Sequence, residues 1–140
     1  MTHIAVVDNH GQFTHLEQRA LRDLGVDVEL IDNETPPEDI DADGLVLSGG
    51  PSMDRIGRCA DYLGLGIPVL GICLETRVWA SHADEVKELP DGFTLTARSD
   101  VCDVEAMSNV ARELYGVQWH PEVAHTERGD EVFENFIARC

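Results

Sequence analysis

The chain alternates between short apolar runs and longer polar stretches. "HIAVVD" at residues 3–8 is a short apolar run that ends in polar residues, which is typical of a strand buried on both faces. Residues 14–17 have the T-x-x-E pattern of a capping box, and Gly25 predicts the end of the helix that follows. The apolar face of this helix is predicted to carry Leu16, Ala20, Leu21 and Leu24. "VDVELID" at residues 26–32 alternates like a strand, so the order strand, helix, strand predicts a parallel sheet.

Two further apolar runs extend this pattern. The acidic, proline-rich residues 32–43 form a predicted connection with a short helix after Pro37. It leads into a third strand, "GLVLSGGP" at 44–51, and a fourth, "IPVLGIC" at 67–73, with the weakly helical "IGRCADYLG" between them. Four buried strands with helices between them predict an open α/β sheet, where sites form at the carboxyl ends of the strands. The residues at those ends are Asp8 to Gln12, Ser48 to Pro51, and Cys73.

The pattern changes from residue 92 onward to short alternating segments. "FTLTARS" at 93–99, "CDVEAM" at 102–107 and "LYGVQWH" at 114–120 are predicted strands joined by turns. A final amphipathic helix is predicted after Gly129, with one apolar face formed by Val132, Phe133, Phe136 and Ile137. A chain of 140 residues has the usual length of one domain, so residues 1–140 are expected to form one.

Charge and cysteine spacing exclude several classes of protein. Lys and Arg total 10 against 27 Asp and Glu, a formal charge of −17, so a nucleic-acid backbone would be repelled. No apolar run is long enough to cross a membrane, and we expect a soluble, cytoplasmic protein. The scattered acidic residues fit either a salt-loving host or an ordinary acidic cytosolic protein. The four cysteines form no C-x-x-C pair, so no metal site is predicted.

Cys73 is a candidate nucleophile because it follows a predicted strand at a turn. A cysteine on a strand-turn-helix is the counterpart of a nucleophile elbow, in which the turn exposes the side chain and the helix start supports an anion. The alternative is that Cys73 is a small core residue at the end of a buried strand.

His120, Pro121 and Glu122 favour the nucleophile. Pro121 biases His120 toward an extended backbone, in which residues i and i+2 project the same way, so Glu122 can orient the imidazole of His120. A nucleophile, a base and an orienting carboxylate recur in acyl-transfer enzymes. The glycine turn at residues 48–51 would supply backbone N–H groups to an oxyanion, or is an ordinary turn.

The motifs "DNHGQFTH", "VLSGGP", "VLGICL" and "YGVQWHPEVAHTE", in this order, resemble the class I (triad) glutamine amidotransferases over nearly the whole chain. With "VWASHADEVKELPDGF" they are similar, more narrowly, to the glutaminase subunits of archaeal GMP synthases. The resemblance implies a flavodoxin-like α/β fold, an open and mostly parallel sheet with flanking helices, in a truncated form.

The resemblance also implies residue roles. Cys73 attacks the side-chain amide of glutamine, His120 acts as general acid and base, and Glu122 orients His120. The backbone N–H groups of Gly50 and Leu74 stabilise the tetrahedral oxyanion. The glutamine-binding residues implied by the resemblance are Ser81, Ala83 and Asp84.

The implied partner is a separate ATP-dependent synthetase subunit that takes the ammonia and aminates XMP to GMP, in a heterodimer or larger assembly. ATP and Mg are expected on that subunit, and no cofactor is expected in this chain.

The chain departs from the family after Leu74, where residues typical of a much later family segment follow directly. The apolar residues of 74–90 recur with a helical period, which predicts a helix that would replace the one expected after the nucleophile. The resemblance to the family instead predicts a strand at residues 77–80. Two hypotheses follow: a glutaminase subunit, or a catalytically impaired deletion variant or pseudo-subunit that keeps the triad residues.

Overall fold

The computed structural model describes residues 1–49, 57–72, 89, 91–98, 100, 104–122 and 128–140. The β-strands are β1 His3–Asp8, β2 Asp27–Asp32, β3 Gly44–Leu47, β4 Val69–Ile72, β5 Thr94–Ala97, β6 Ala106–Asn109 and β7 Leu114–Val117. The α-helices are α1 Thr14–Asp23, α2 Cys59–Tyr62 and α3 Gly129–Ile137. Short 3₁₀ turns occur at Pro37–Asp39, as the sequence predicts, and at Val110–Arg112.

The described strands form one sheet in the order β2-β1-β3-β4-β7-β6-β5. β1 pairs in parallel with β2 and β3, β3 with β4, and β4 with β7. β6 runs antiparallel to both β7 and β5. The predicted open, mostly parallel sheet with flanking helices is therefore confirmed.

The core lies on both faces of this sheet because alternate residues of a strand point to opposite sides. On one face, Ile4, Val6 and Val46 pack with Leu21 of α1 and with Phe133 and Phe136 of α3. On the other face the buried set is Ala5, Val7, Leu45, Leu47, Val69 and Tyr62 of α2. β1 and β3 are thus covered on both sides, which explains their continuous apolar sequences.

The prediction of four buried strands is wrong for β2. Among the described strands β2 pairs with β1 alone and forms an edge of the sheet. Its side chains are largely exposed, and Leu30 keeps 44% of its surface accessible. The alternating sequence of β2 fits this half-exposed position.

The capping-box prediction at the start of α1 is also wrong. Phe13 is the N-cap residue, and Thr14 is already helical. The Thr14 hydroxyl donates instead to Ser48 Oγ at 3.3 Å, and the side chain of Glu17 is buried. A buried polar partner from the end of β3 has replaced the local backbone contact that the pattern favours.

β6 begins later than the predicted strand at 102–107 and continues to Asn109. Its antiparallel register with β7 pairs Ala106 with Val117 and Asn109 with Leu114, which sets the limits of the strand. None of the helices in the described ranges has the length and apolarity needed to cross a bilayer.

Candidate functional site

The carboxyl ends of β1, β3, β4 and β7 lie side by side along the same side of the sheet, because these strands are neighbours and run parallel. β3 ends just before Ser48, and β4 ends at Ile72, just before Cys73 in the sequence. Ile72 pairs with Val117 of β7, and the chain beyond β7 leads to His120. The fold therefore carries three of the sequence motifs to the edge where α/β proteins form their sites.

The structure describes two of the predicted site residues, His120 and Glu122. The others lie outside the described residues: Cys73, Gly50, Leu74, Ser81, Ala83 and Asp84. The alternative conformations predicted for residues 74–90 also fall outside them, with the exception of Leu89. The proximity of Cys73 to His120 stays a prediction.

His120 and Glu122 are brought into direct contact. The Nδ1 atom of His120 lies 2.6 Å from Oε1 of Glu122. Pro121 separates the two residues in the sequence, and Pro121 and Glu122 lie in a turn across which the side chains of His120 and Glu122 meet. With the carboxylate as acceptor, the proton is on Nδ1, and Nε2 becomes the nitrogen that exchanges protons with a reacting group.

The environment of this pair strengthens the interaction. The side chain of Glu122 is fully buried, whereas that of His120 is 30% exposed. In the described part of the chain, Oε2 of Glu122 is buried and has no hydrogen-bond partner, so the imidazole is the main group that compensates the carboxylate. A buried charge interacts strongly with its partner because little water screens it. This arrangement stabilises a protonated imidazole.

The start of α3 fixes the backbone between His120 and Glu122. Gly129, the first residue of α3, packs so closely on the carbonyl of Pro121 that a Cβ at this position would overlap the carbonyl oxygen. The glycine therefore allows the helix to approach the His-Pro-Glu segment.

Gly129→Ala is expected to displace Pro121 and with it the His120–Glu122 pair. Overpacking of this kind costs about 1–3 kcal/mol of unfolding free energy. A shift of about 1 Å in a catalytic group can cost about 100-fold in rate, and we expect any reaction that uses His120 as a proton carrier to slow by about 10-fold to 100-fold. Gly64→Ala is the matched control, because the nearest atom to its Cβ is Asp61 O at 3.7 Å. Equal denaturation midpoints and rates for both variants would contradict the prediction.

A buried hydrogen-bond network joins the ends of β1 and β3. Asn9 is fully buried; its Nδ2 donates to the carbonyl of Ser48 at 2.8 Å, and its backbone N–H donates to Ser48 Oγ at 3.1 Å. The Ser48 hydroxyl donates to the carbonyl of Val7 at 2.6 Å. These bonds fix the peptide that leads from Ser48 into Gly49.

The same network reaches the end of β2. Asn33 Nδ2 donates to Asn9 Oδ1 at 3.0 Å, and Cys59 Sγ donates to the same oxygen at 3.3 Å. The Tyr62 hydroxyl donates to the carbonyls of Asn33 and Thr35 at 3.1 and 2.7 Å. Burial raises the pKa of Tyr62 to about 12, so this hydroxyl remains a donor at physiological pH. The carboxyl ends of three strands are thus held by one network.

Asn9→Ala is expected to lower the unfolding free energy by about 2–6 kcal/mol, because it removes the buried hydrogen bonds that Asn9 makes with the Ser48 carbonyl and the Asn33 amide, at about 1–3 kcal/mol each. Chemical denaturation measures the change. Asn135→Ala, on the exposed surface of α3, is the matched control and is expected to stay within about 0.5 kcal/mol of the parent chain. A loss at Asn9 no larger than the control would show that the network contributes little.

Sequence reasoning missed several residues of this edge. Asn9 belongs to the polar loop at the end of β1, so its position was available from the sequence, but its partners were not. Phe13 lies against the imidazole of His120, with ring centroids 5.1 Å apart and planes inclined by 68°. No local pattern marks the contact of Phe13 with His120, which is remote in the sequence, and the helix predicted after Gly129 does not reveal that this glycine packs on Pro121.

The α/β fold agrees with the family comparison. The family model for class I glutamine amidotransferases matches residues 5–76 and 74–140. The chain therefore belongs to the class I glutamine amidotransferase family, and the resemblance carried by its motifs is confirmed.

Curated relatives are similar over the whole chain. The glutamine-hydrolysing GMP synthase subunit of Haloquadratum walsbyi is 61% identical over 183 positions, which cover 100% of both chains. The corresponding subunit of Natronomonas pharaonis is 61% identical over 181 positions, covering 100% of this chain and 98% of the relative. That of Methanosarcina barkeri is 45% identical, covering 98% of this chain and 96% of the relative.

A solved structure is similar to the fold as well. The crystal structure of a Thermoplasma acidophilum protein assigned as a GMP synthase subunit has a TM-score of 0.92 and 35% identity, and the match covers 100% of this chain and 94% of that one.

The lengths of these matches bear on the segment after Leu74. Alignments of 183 and 181 positions exceed the 140 residues of the chain, so they include positions at which this chain has no residue. The two parts of the family match meet at residues 74–76.

Proposed function

We propose that the chain is the glutaminase subunit of a GMP synthase, which hydrolyses glutamine to glutamate and ammonia. The ammonia passes to a separate ATP-dependent subunit that aminates XMP to GMP. The observation that carries the proposal is the buried contact between Glu122 and His120, on the segment that follows β7, next to the strand that ends before Cys73. The relatives named as glutamine-hydrolysing subunits support the choice of reaction.

The proposed reaction begins with the thiolate of Cys73, formed when Nε2 of His120 takes the thiol proton. The sulfur attacks the side-chain carbonyl carbon of glutamine, and the carbonyl electrons move to oxygen. Backbone N–H groups of Gly50 and Leu74 donate to this oxyanion. As the tetrahedral intermediate collapses, the C–N bond breaks and Nε2 of His120 gives its proton to the leaving nitrogen, which departs as ammonia.

A γ-glutamyl thioester on Cys73 remains, and water hydrolyses it. Nε2 of His120 takes a proton from the attacking water, and the second tetrahedral intermediate releases glutamate and the thiol. His120 is protonated and deprotonated in each half of the cycle. The buried Glu122 carboxylate stabilises the imidazolium form each time and keeps Nδ1 in its hydrogen bond, so that Nε2 carries out the proton transfers.

The finer assignments belong to the same proposal. Ser81, Ala83 and Asp84 are proposed to line the glutamine site. ATP and Mg are proposed to bind to the synthetase subunit, and no cofactor is proposed for this chain. The two subunits are proposed to form a heterodimer or a larger assembly in the cytoplasm.

The second hypothesis is a catalytically impaired deletion variant or pseudo-subunit of the same family, which keeps the triad residues but does not hydrolyse glutamine. Identities of 61% across the entire chain favour the glutaminase. The positions that the chain lacks relative to these relatives support a lower rate than theirs, since residues beside Cys73 are affected.

The proposal is tested by mixing the chain with the synthetase subunit from Haloquadratum walsbyi, XMP, ATP, Mg and glutamine labelled with ¹⁵N in its side-chain amide. GMP that carries ¹⁵N is the expected product. A parallel reaction with ammonium chloride in place of glutamine shows that the synthetase subunit is active. GMP from ammonium chloride but none from glutamine, even after prolonged incubation, would contradict the proposal.

A further inference from the structure

Phe13 lies between two parts of the candidate site. It follows the polar loop after β1 and is the N-cap residue of α1. Its carbonyl accepts hydrogen bonds from the backbone N–H groups of Leu16 and Glu17, at 3.0 and 3.2 Å. The backbone of Phe13 is therefore fixed by the first turn of the helix.

The buried network adds a second anchor to this position. Thr14, the next residue, is buried, and its hydroxyl donates to Ser48 Oγ at 3.3 Å. Asn9, at the other end of the same loop, holds the Ser48 carbonyl. Phe13 thus projects from a loop whose two ends are tied to the end of β3, so its backbone is held close to His120.

The ring of Phe13 meets the imidazole of His120 in an edge-type contact, with centroids 5.1 Å apart and planes inclined by 68°. Such pairs contribute about 0.5–1.5 kcal/mol beyond the area they bury. Phe13 offers no hydrogen-bonding group that would compete with Glu122 for Nδ1.

A catalytic imidazole must present the same nitrogen in each cycle. The bond from Nδ1 to Glu122 holds one nitrogen of the ring. A second contact, from Phe13, adds to this restraint. We propose that Phe13 is a positioning residue for His120, which holds the imidazole in the orientation with Nδ1 on Glu122. Its effect on proton transfer rests on the proposed function, whereas its effect on the ring orientation does not.

The first test reads the imidazole directly. ¹⁵N spectra of histidine-labelled protein report the tautomer and the ring exchange of each of the six histidines, and His120→Gln identifies the signals of His120. In Phe13→Leu, the ratio of the Nδ1-protonated form to all other forms of His120 is expected to fall by about twofold to tenfold, the factor that an aromatic pair contributes. Phe13→Tyr keeps the ring and is expected to restore the parent spectrum.

Phe136→Leu is the matched control, because it makes the same substitution in the other described edge-type pair. Phe136 and Tyr115 have centroids 6.5 Å apart and planes inclined by 77°, on the face of the sheet covered by α3. This variant is expected to lower the denaturation midpoint and leave the His120 signals unchanged. A parent-like His120 spectrum in Phe13→Leu, or equal changes in Phe13→Leu and Phe136→Leu, would overturn the proposal.

The second test is kinetic and keeps the two proposals apart. In steady-state glutamine hydrolysis, Phe13→Leu is expected to lower kcat by about twofold to tenfold with KM for glutamine unchanged, and Phe13→Tyr is expected to restore kcat. An altered His120 spectrum without glutaminase activity in the parent chain would reject the proposed function and retain the positioning role.

Discussion

Ammonia release from glutamine is expected to rise at least about 100-fold when the residues that the Haloquadratum walsbyi relative carries at this point are inserted after Leu74. The backbone N–H of Leu74 is a proposed oxyanion donor, and loss of one such donor typically costs about 10²–10³ in rate. The two ranges of the chain that match the family model join at residues 74–76, immediately beside this donor. Coupled measurement of ammonia, in the presence of the synthetase subunit, gives the two rates.

An insert of the same length and composition in scrambled order is the control, and it is expected to give no increase. Alkylation of Cys73 by iodoacetamide is expected to differ little between the parent and the extended chain, because that reaction needs only an exposed thiol and a nearby base. Equal ammonia release from both chains would show that residues 74–90 rebuild the turn after β4 on their own.

Replacement of His120 by glutamine is expected to reduce ammonia release by about 10³-fold or more, in the parent chain and in the extended chain. Glutamine is similar in size but neither takes up nor releases a proton near neutral pH, so both half-reactions lose their acid and base. Initial rates at saturating glutamine measure the effect.

His15→Gln is the matched control for this substitution, since His15 is exposed on α1 and lies outside the proposed machinery. It is expected to leave the rate unchanged. Retention of more than about a tenth of the parent rate by His120→Gln would exclude His120 as the general acid and base, given that such groups contribute about 10²–10⁴-fold.

The sheet is predicted well from the sequence because the apolar pattern that marks each strand lies within that strand. Continuous apolar runs such as residues 3–8 mark strands that are covered on both faces, and β1 and β3 are buried as their sequences require. The pairing of His120 with Glu122 is also local, because a single residue separates them in the sequence.

Features that depend on distant residues were mispredicted or missed. The T-x-x-E pattern favours a capping box, but Ser48, which is remote in the sequence, offers Thr14 a buried partner and changes its role. The exposure of β2 depends on the strand order, which the alternation of its residues does not determine. Phe13 and Gly129 act through His120 and Pro121, contacts that only the folded chain creates.

The exposed outer edge of β2 has a consequence for association between copies of the chain. An unpaired strand edge is a template for pairing with another molecule. The residues of β2 include Asp27, Glu29 and Asp32, of which Asp27 and Glu29 keep 64% and 57% of their side chains exposed. In the antiparallel register that sets Asp27 opposite Asp32, pairing of two such strands would place carboxylates opposite carboxylates, which is unfavourable. The same acidic residues that lower the isoelectric point therefore also disfavour pairing of two copies through β2, an edge strand among the described strands.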